Sequence, residues 1–217
     1  MILLPVKNFD GAKQRLSPAL TREQRTELAR AMVKDVCHAL AEVPSPPTIA
    51  LVTSDPYAMR LARQCGFDVI RDEANFGETE AIALATAEAE KRGADFAMVI
   101  PGDIPLITAA EISAVLRAAP EEGTVLVPAG DGRGTNAILR APCSLFPCRF
   151  GNDSFLPHRA AARATGKPVI VLDDLPGIAL DVDRPEDLEE LIASEPRTRS
   201  QRLLREWKLP QRAVAGD

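Results

Sequence analysis

The chain has 217 residues, of which 46% are hydrophobic and 26% charged, so it can bury a substantial core and is neither disordered nor collagen-like. Its 26 Lys and Arg against 31 Asp and Glu give a net charge of −5, and aromatics make up only 4%, so the basic field and stacking platforms of a nucleic-acid binder are missing. No run approaches the roughly 18 apolar residues of a membrane span, and Lys7, Asp10 and Lys13 interrupt what would be a leader segment, which predicts a cytoplasmic protein.

In chain order, strand-like and helix-like segments alternate. Met1 to Val6 is a short apolar run. Thr21 to Val43 has helical spacing, with Thr21 and Gln24 placed as a capping box. Thr48 to Thr53 is β-branched and apolar. Asp55-Pro56 then reads as a cap with proline in the first turn, and Gly66 as the stop. Phe67 to Ile70 is a strand, Thr79 to Arg92 a helix. Asp95 to Pro101 is a nearly unbroken apolar run, the pattern of a strand buried on both faces. Thr108 and Glu111 cap a further helix. Thr124 to Pro128, Asn136 to Leu139, Val169 to Leu172 and Ile178 to Val182 are expected strands, and Asp187 to Ala193 a closing helix. Alternation of this kind predicts an α/β fold in three layers, a mostly parallel sheet with helices on both faces. No linker or repeat divides the chain, so one domain is expected over 1–194, followed by a basic tail over 195–217. Between Arg197 and Arg212 stand six basic residues and one acid, Glu206. This stretch reads as a solvated amphipathic helix or a frayed tail, with a cap over a polyanion or a homodimer contact as alternatives. Cys37, Cys65, Cys143 and Cys148 form no CxxC pair and are expected as reduced thiols.

Ligands of open parallel sheets bind beyond the carboxyl ends of the strands. After the first strand comes KNFDGAKQRL, with Lys7, Lys13 and Arg15 in nine residues. Such cations suit a triphosphate, although neither GxxxxGK[ST] nor GxGxxG is present. The alternative is three solvated surface charges. After the central strand comes PGDIPL, where Gly102 and two prolines set Asp103 in a rigid turn. A carboxylate there suits Mg²⁺, or it closes the turn on its own backbone. In LDVDRPEDL, Asp181 and Asp183 are two apart in an extended segment and so project to one side. They share a cation, or one caps the next helix. FGNDSFLPH offers Gly151, Ser154 and a helix start for an anion, and His158 reads as a structural hydrogen-bonding residue rather than a base. DGRGTN, from Asp131 to Asn136, is glycine-rich and offers Thr135 as an anion contact, or is a plain hairpin turn.

VKNFDGAKQRL, PGDIPL, GRGTNA, FGNDSFLPH and LDVDRPEDL together resemble, in order, the motifs of the 2-phospho-L-lactate and phosphoenolpyruvate guanylyltransferases, enzymes of coenzyme F-420 biosynthesis. The resemblance spans about residues 1–193, and its FGxDSxxxH element is the most family-specific. GDxP and DVDxPxD are shared more widely among nucleotidyltransferases of glycosyltransferase-A-like fold. What the resemblance implies is transfer of GMP from GTP onto the phosphate of a small phosphorylated three-carbon acid: phosphoenolpyruvate, 3-phosphoglycerate or 2-phospholactate. Asp103, Asp181 and Asp183 would hold Mg²⁺. Lys7, Lys13, Arg15 and Gly102 would face the triphosphate, with Lys13, Arg15 and Asp103 catalytic. Thr135, Gly151 and Ser154 would contact the acid. Many relatives carry Leu-Asn before Ala-Ile near the nucleotide base. Here Gly77-Glu78-Thr79-Glu80 precedes Ala81-Ile82, which leaves Glu78 and Thr79 as the base-side contacts. The competing readings are nucleotidyl transfer to a molybdopterin cofactor or a sugar phosphate, and a catalytically silent nucleotide-binding module.

Overall fold

A computed structural model describes residues 1–73, 77–151, 153–193 and 197–208. Its elements are β1 (Ile2–Pro5), α1 (Arg22–Ala41), β2 (Ile49–Val52), α2 (Pro56–Cys65), β3 (Asp68–Ile70), α3 (Glu78–Lys91), β4 (Ala97–Val99) and α4 (Ala109–Ala118). There follow β5 (Gly123–Pro128), β6 (Thr135–Ala141), α5 (Phe155–Ala164), β7 (Val169–Val171), α6 (Pro176–Ala179), α7 (Pro185–Ala193) and α8 (Arg199–Glu206). Seven strands form one sheet in the order β3-β2-β1-β4-β6-β5-β7. The pairs β1·β2, β1·β4, β2·β3 and β5·β7 are parallel, while β6 runs antiparallel to both β4 and β5.

The reversal of β6 has a simple cause. Only residues 129–134 join it to β5, and a parallel crossover needs a dozen or more residues. The DGRGTN loop is therefore a hairpin connection, and Ala129 N–H donates to the Gly134 carbonyl at its neck.

Side chains alternate across β1. Ile2 and Leu4 enter a core under α1, α2 and α4, whereas Leu3 enters a second core under α3 and α5. Burial on both faces explains why the central strands read as unbroken apolar runs. The expected caps are present. Thr21 and Thr108 form capping boxes, Asp55 accepts from the N–H groups of Tyr57 and Ala58, and left-handed Gly66 ends α2.

One expectation is corrected and one refined. Ile178 to Val182 is not a strand. Pro176 opens the short α6 instead, and the Ile178 and Ala179 carbonyls accept from the Asn136 side chain, with the Gly130 N–H also donating to that of Ala179. The basic stretch is an amphipathic helix over 199–206, with Arg202 and Arg205 exposed, but it is docked and not free. There α8 packs on α1 and α7, burying Leu204 in a third core with Leu28, Leu188 and Leu191. Asp35 of α1 fixes its start, accepting from the N–H groups of Arg199 and Ser200 at 2.9 Å each. Residues 209–217 lie outside the described residues. All four cysteines are free thiols, and no described helix is long and apolar enough to cross a membrane.

Candidate active site

The loops at the carboxyl ends of β1 and β4 meet the segment between α6 and α7. Gly102 makes the approach possible: a Cβ there would stand 2.9 Å from the Val33 side chain of α1. Val182 N–H donates to the Asp103 carbonyl at 3.0 Å, and the Val182 side chain is fully buried. This one backbone bond brings Asp103, from the middle of the chain, beside Asp181 and Asp183. Asp187, in the first turn of α7, reaches back to this segment, its Oδ2 accepting from the N–H groups of Asp183 and Arg184.

Lys13 stands at the centre. Its Nζ donates to Asp103 Oδ2 and Asp183 Oδ1 at 2.6 Å each, so those two oxygens lie within twice that distance of one another. The Lys13 side chain is only 11% exposed against 54% for Arg15, whose Nη1 is 3.6 Å from Asp183 Oδ2. Lys13 is thus an interior cation and Arg15 a rim cation. Burial by itself would lower the Lys13 pKa, but the Asp103 and Asp183 carboxylates more than offset it and hold the ammonium above its ordinary value. Asp183 is the mirror case: burial would raise it, and Lys13 and Arg15 hold it below the usual carboxylate range. Asp181 is pushed up, chiefly by burial and then by the charges of Asp103 and Asp183, against the hydrogen bond it accepts from Asn136. Lys13 adopts a left-handed backbone, φ 54° and ψ 46°, which is uncommon for a residue with a side chain.

A cavity of about 470 Å³ is lined by Lys7, Lys13, Arg15, Glu78, Gly102, Asp103 and Asp183. A second basin of about 500 Å³ takes in Arg15, Arg133, Gly151, Asp181, Asp183 and Arg184. A third hollow, also about 500 Å³, is bounded by Lys7, Glu78, Thr79, Phe150 and Gly151. Arg15 and Asp183 belong to the first two, Lys7 and Glu78 to the first and third, Gly151 to the second and third. The three are therefore one branched cleft with Asp183 at the fork.

Glu78 begins α3, half-buried in the cleft. Its carboxyl is pushed up to about 7, chiefly by burial and the Asp103 charge, with Lys7 and Lys13 pulling the other way. The folded state therefore binds this proton more tightly than the unfolded chain does. The stability it contributes is complete below the ordinary value of 4.5 and lost as pH rises through about 7. Thermal melts should show the wild type losing stability relative to Glu78→Gln across that window, with a constant difference above it. Parallel curves would contradict the assignment.

Thr79, which also bounds the third hollow, and Thr135 and Ser154 tie segments of the site together. Thr79 Oγ1 accepts from Phe150 N–H at 3.1 Å, which joins the start of α3 to the segment before Gly151. Thr135 and Ser154 are buried. Ser154 Oγ accepts the Thr135 N–H at 3.1 Å. His158 Nε2 accepts from Arg149 N–H, so its Nδ1–H donates to Thr135 Oγ1 at 3.0 Å. Burial and nearby Arg140 push His158 down to about 4, so it is a neutral structural residue at neutral pH. Asn136 is the partner that sequence reasoning missed. Its amide donates to Asp181 Oδ1 at 3.0 Å and to two carbonyls of α6, anchoring the acidic segment to β6. The signal available was a lone amide at the head of an otherwise apolar strand.

A sequence profile described as "Guanylyl transferase CofC like" matches residues 1–213. The chain belongs to this family. Among the relatives of this CofC-like chain is a phosphoenolpyruvate guanylyltransferase of Conexibacter woesei, 38% identical over 88% of this chain and 88% of its own length. The corresponding enzyme of Sphaerobacter thermophilus is 36% identical over 89% and 93%. A 2-phospho-L-lactate guanylyltransferase of Methanothermobacter thermautotrophicus is 33% identical over 99% and 93%. A crystal structure described as a nucleotide-diphospho-sugar transferase of Desulfovibrio desulfuricans superposes with a TM-score of 0.79 at 23% identity, covering 95% of this chain and 94% of that one. That likeness establishes the α/β nucleotidyltransferase fold. The CofC-like match reaches past α8, so the helix that docks on α1 falls within the family's common span. Among the described residues of this CofC-like protein, no three His, Cys, Asp or Glu side chains are gathered tightly enough to hold a metal ion by themselves. Asp103 and Asp183 converge on an ammonium, and Asp181 is held by an amide.

Proposed function

We propose that this chain transfers a guanylyl group from GTP to the phosphate of a small phosphorylated three-carbon acid, releasing pyrophosphate, in coenzyme F-420 biosynthesis. The observation that carries the reading is the Lys13 ammonium shared at 2.6 Å by Asp103 and Asp183, at the fork where two basins meet. Nucleotide occupies the 470 Å³ branch, and the acid the basin that shares Arg15 and Asp183 with it. The names of the relatives support the same substrates.

The acceptor phosphate is anionic near pH 7, so no general base is needed. One of its oxygens forms a bond to the α-phosphorus as the bond to the β-phosphate oxygen breaks. The obstacle is bringing two anions together, and the chain answers it by alignment and charge. Lys13 and Arg15 neutralise the departing pyrophosphate, and Lys7 faces the triphosphate from the exposed rim. The donors fit a divalent ion of the Mg²⁺ kind: they are all oxygen, and Mg²⁺ is held by one or two carboxylates with substrate phosphates completing its sphere. Asp103 and Asp183 would hold it, with Asp181 beside them. When bound it would supply further positive charge to the phosphates. Glu78, ionised above about pH 7, accepts from guanine N1–H and N2–H in place of the amide many relatives carry.

Incubation with GTP, Mg²⁺ and each of phosphoenolpyruvate, 2-phospholactate and 3-phosphoglycerate, with mass analysis of the products, tests the reading. A diphosphate-linked guanosine with one of the three is expected. Product with CTP and a sugar phosphate or molybdopterin acceptor, or nucleotide binding without turnover, would replace it.

A further inference from the structure

The acceptor basin holds a guanidinium that the transfer chemistry leaves unused. Arg133 lies in the β5–β6 hairpin loop, with its backbone fixed from both sides. Its N–H donates to Asp131 Oδ1 at 2.8 Å, and its carbonyl accepts from Phe155 N–H, the first residue of α5, at 2.9 Å. Asp153 aims the side chain. Arg133 Nε donates to Asp153 Oδ1 and Nη2 to Asp153 Oδ2, the latter at 3.2 Å. Asp153 itself is held in a left-handed conformation, φ 58°, two residues from Gly151 at φ 137°. That backbone is uncommon for a residue with a side chain, and here it turns the carboxylate back onto the hairpin loop.

A guanidinium has two edges that match a carboxylate. Asp153 covers the Nε/Nη2 edge. Nη1 has no hydrogen-bond partner among the described residues, so the Nη1/Nη2 edge remains for a second anion. Arg133 borders the same basin as Asp183 and Arg15, the residues at the fork. The acid's phosphate must face the fork to reach the nucleotide. Its carboxylate then turns toward the rest of the basin, where Arg133 and Arg184 are the cations. Asp131, Asp153, Asp187 and Glu190 line that part too, so an anion is accepted there only where a cation meets it directly. Asp187 accepts from the Arg184 backbone N–H and so does not aim that side chain, whereas the Arg133 guanidinium is aimed by the Asp153 carboxylate in the geometry a substrate would use.

We infer that Arg133 binds the carboxylate of the acceptor, and that Asp153 is a positioning residue that holds the guanidinium ready for it. The inference rests on the proposed transfer to a phosphorylated acid. It makes the hairpin loop the element that separates phosphorylated acids from phosphates without a carboxylate.

The test compares 2-phospholactate with isopropyl phosphate, in which a methyl group replaces the carboxylate, using GTP and Mg²⁺; phosphoenolpyruvate and 3-phosphoglycerate are run beside them. Wild type should favour the best acid by about 10- to 100-fold in kcat/KM, the scale of a charge-assisted hydrogen-bonded pair. Arg133→Gln should erase that preference by raising the acid's KM, leaving isopropyl phosphate and the KM for GTP unchanged. Arg133→Lys should restore part of it. Asp153→Asn should raise the acid's KM by about three- to tenfold with kcat held, since it loosens the guanidinium without removing it. A preference that survives Arg133→Gln, equal losses on both acceptors, or a preference erased by Arg184→Gln alone would overturn this assignment. Failure of the wild type to guanylylate any acid would instead overturn the proposed function beneath it.

Discussion

Replacing Lys13 by Met lowers kcat/KM by about a thousandfold or more, the upper end for removing one preorganised charge from a transition state. Among the described residues, the Lys13 Nζ is the group that touches Asp103 and Asp183 together, at 2.6 Å each. Its loss removes a cation from the departing pyrophosphate and leaves two carboxylates facing each other. Stability should also fall, by about 1–3 kcal/mol at neutral pH. Breaking a fully buried pair costs more, but Asp103 and Asp183 keep 29% and 37% of their side-chain surface in water. The pH dependence has a definite sign. Asp183, held below its ordinary value of 3.8, contributes stability that is present above that value and disappears as pH falls through its lower folded value. The gap between wild type and Lys13→Met should therefore narrow in acid, as the Asp183 carboxylate takes up its proton. Lys13→Gly and Lys13→Ala separate chemistry from backbone. Both lose the ammonium, but at φ 54° glycine is the less strained, so Lys13→Gly should be the more stable by about 1 kcal/mol. A folded Lys13→Met within tenfold of wild-type turnover would remove Lys13 from the mechanism.

The sequence was most readable where local rules act alone. Capping boxes at Thr21 and Thr108, the Asp55-Pro56 start and the Gly66 stop all depend on residues within one turn, and all are present. The apolar run before Pro101 reads correctly because burial on both faces removes any need for polar alternation. Ile178 to Val182 misled because its composition suits a strand, while its carbonyls were claimed by the Asn136 amide from 42 and 43 residues away. No local pattern encodes that. The docking of the basic stretch was illegible for a similar reason. Its arginines advertise a solvated face, but Ser200, Gln201 and Leu204 sit between them and are buried against α1 and α7. At the site, the residue types were legible, and so was the nearness of Asp103 to the Asp181-to-Asp183 segment, since the carboxyl end of a strand fixes where the next loop begins. The direct pairing of Lys13 with two of those aspartates was not, nor was Arg140. That arginine is buried with its guanidinium on the Phe146 carbonyl and Thr86 Oγ1, and it depresses His158 from behind. Such pairings depend on side-chain reach across the fold rather than on spacing along it.

Asp103→Asn should lower turnover by at least about a hundredfold with little change in stability. The amide keeps the size of the carboxylate, and the Asp103 carbonyl still accepts from Val182 N–H, so the acidic segment stays in place. What changes is charge. Lys13 loses one of its two counter-ions and shifts its interaction onto Asp183, at the fork. The proposed divalent ion loses a ligand at the same time, so the Mg²⁺ concentration for half-maximal rate should rise. Asp181→Asn makes the contrast. Asp181 lines the acceptor basin but not the nucleotide cavity, and Asn136 already neutralises part of its demand for donors. Its loss should raise the acceptor KM more than it lowers kcat. Steady-state kinetics over Mg²⁺ and acceptor concentration separate the two patterns. Equal effects at Asp103 and Asp181 would mean that the aspartates act as one diffuse field. A folded Asp103→Asn with near-normal turnover would remove this carboxylate from the metal and from the chemistry together.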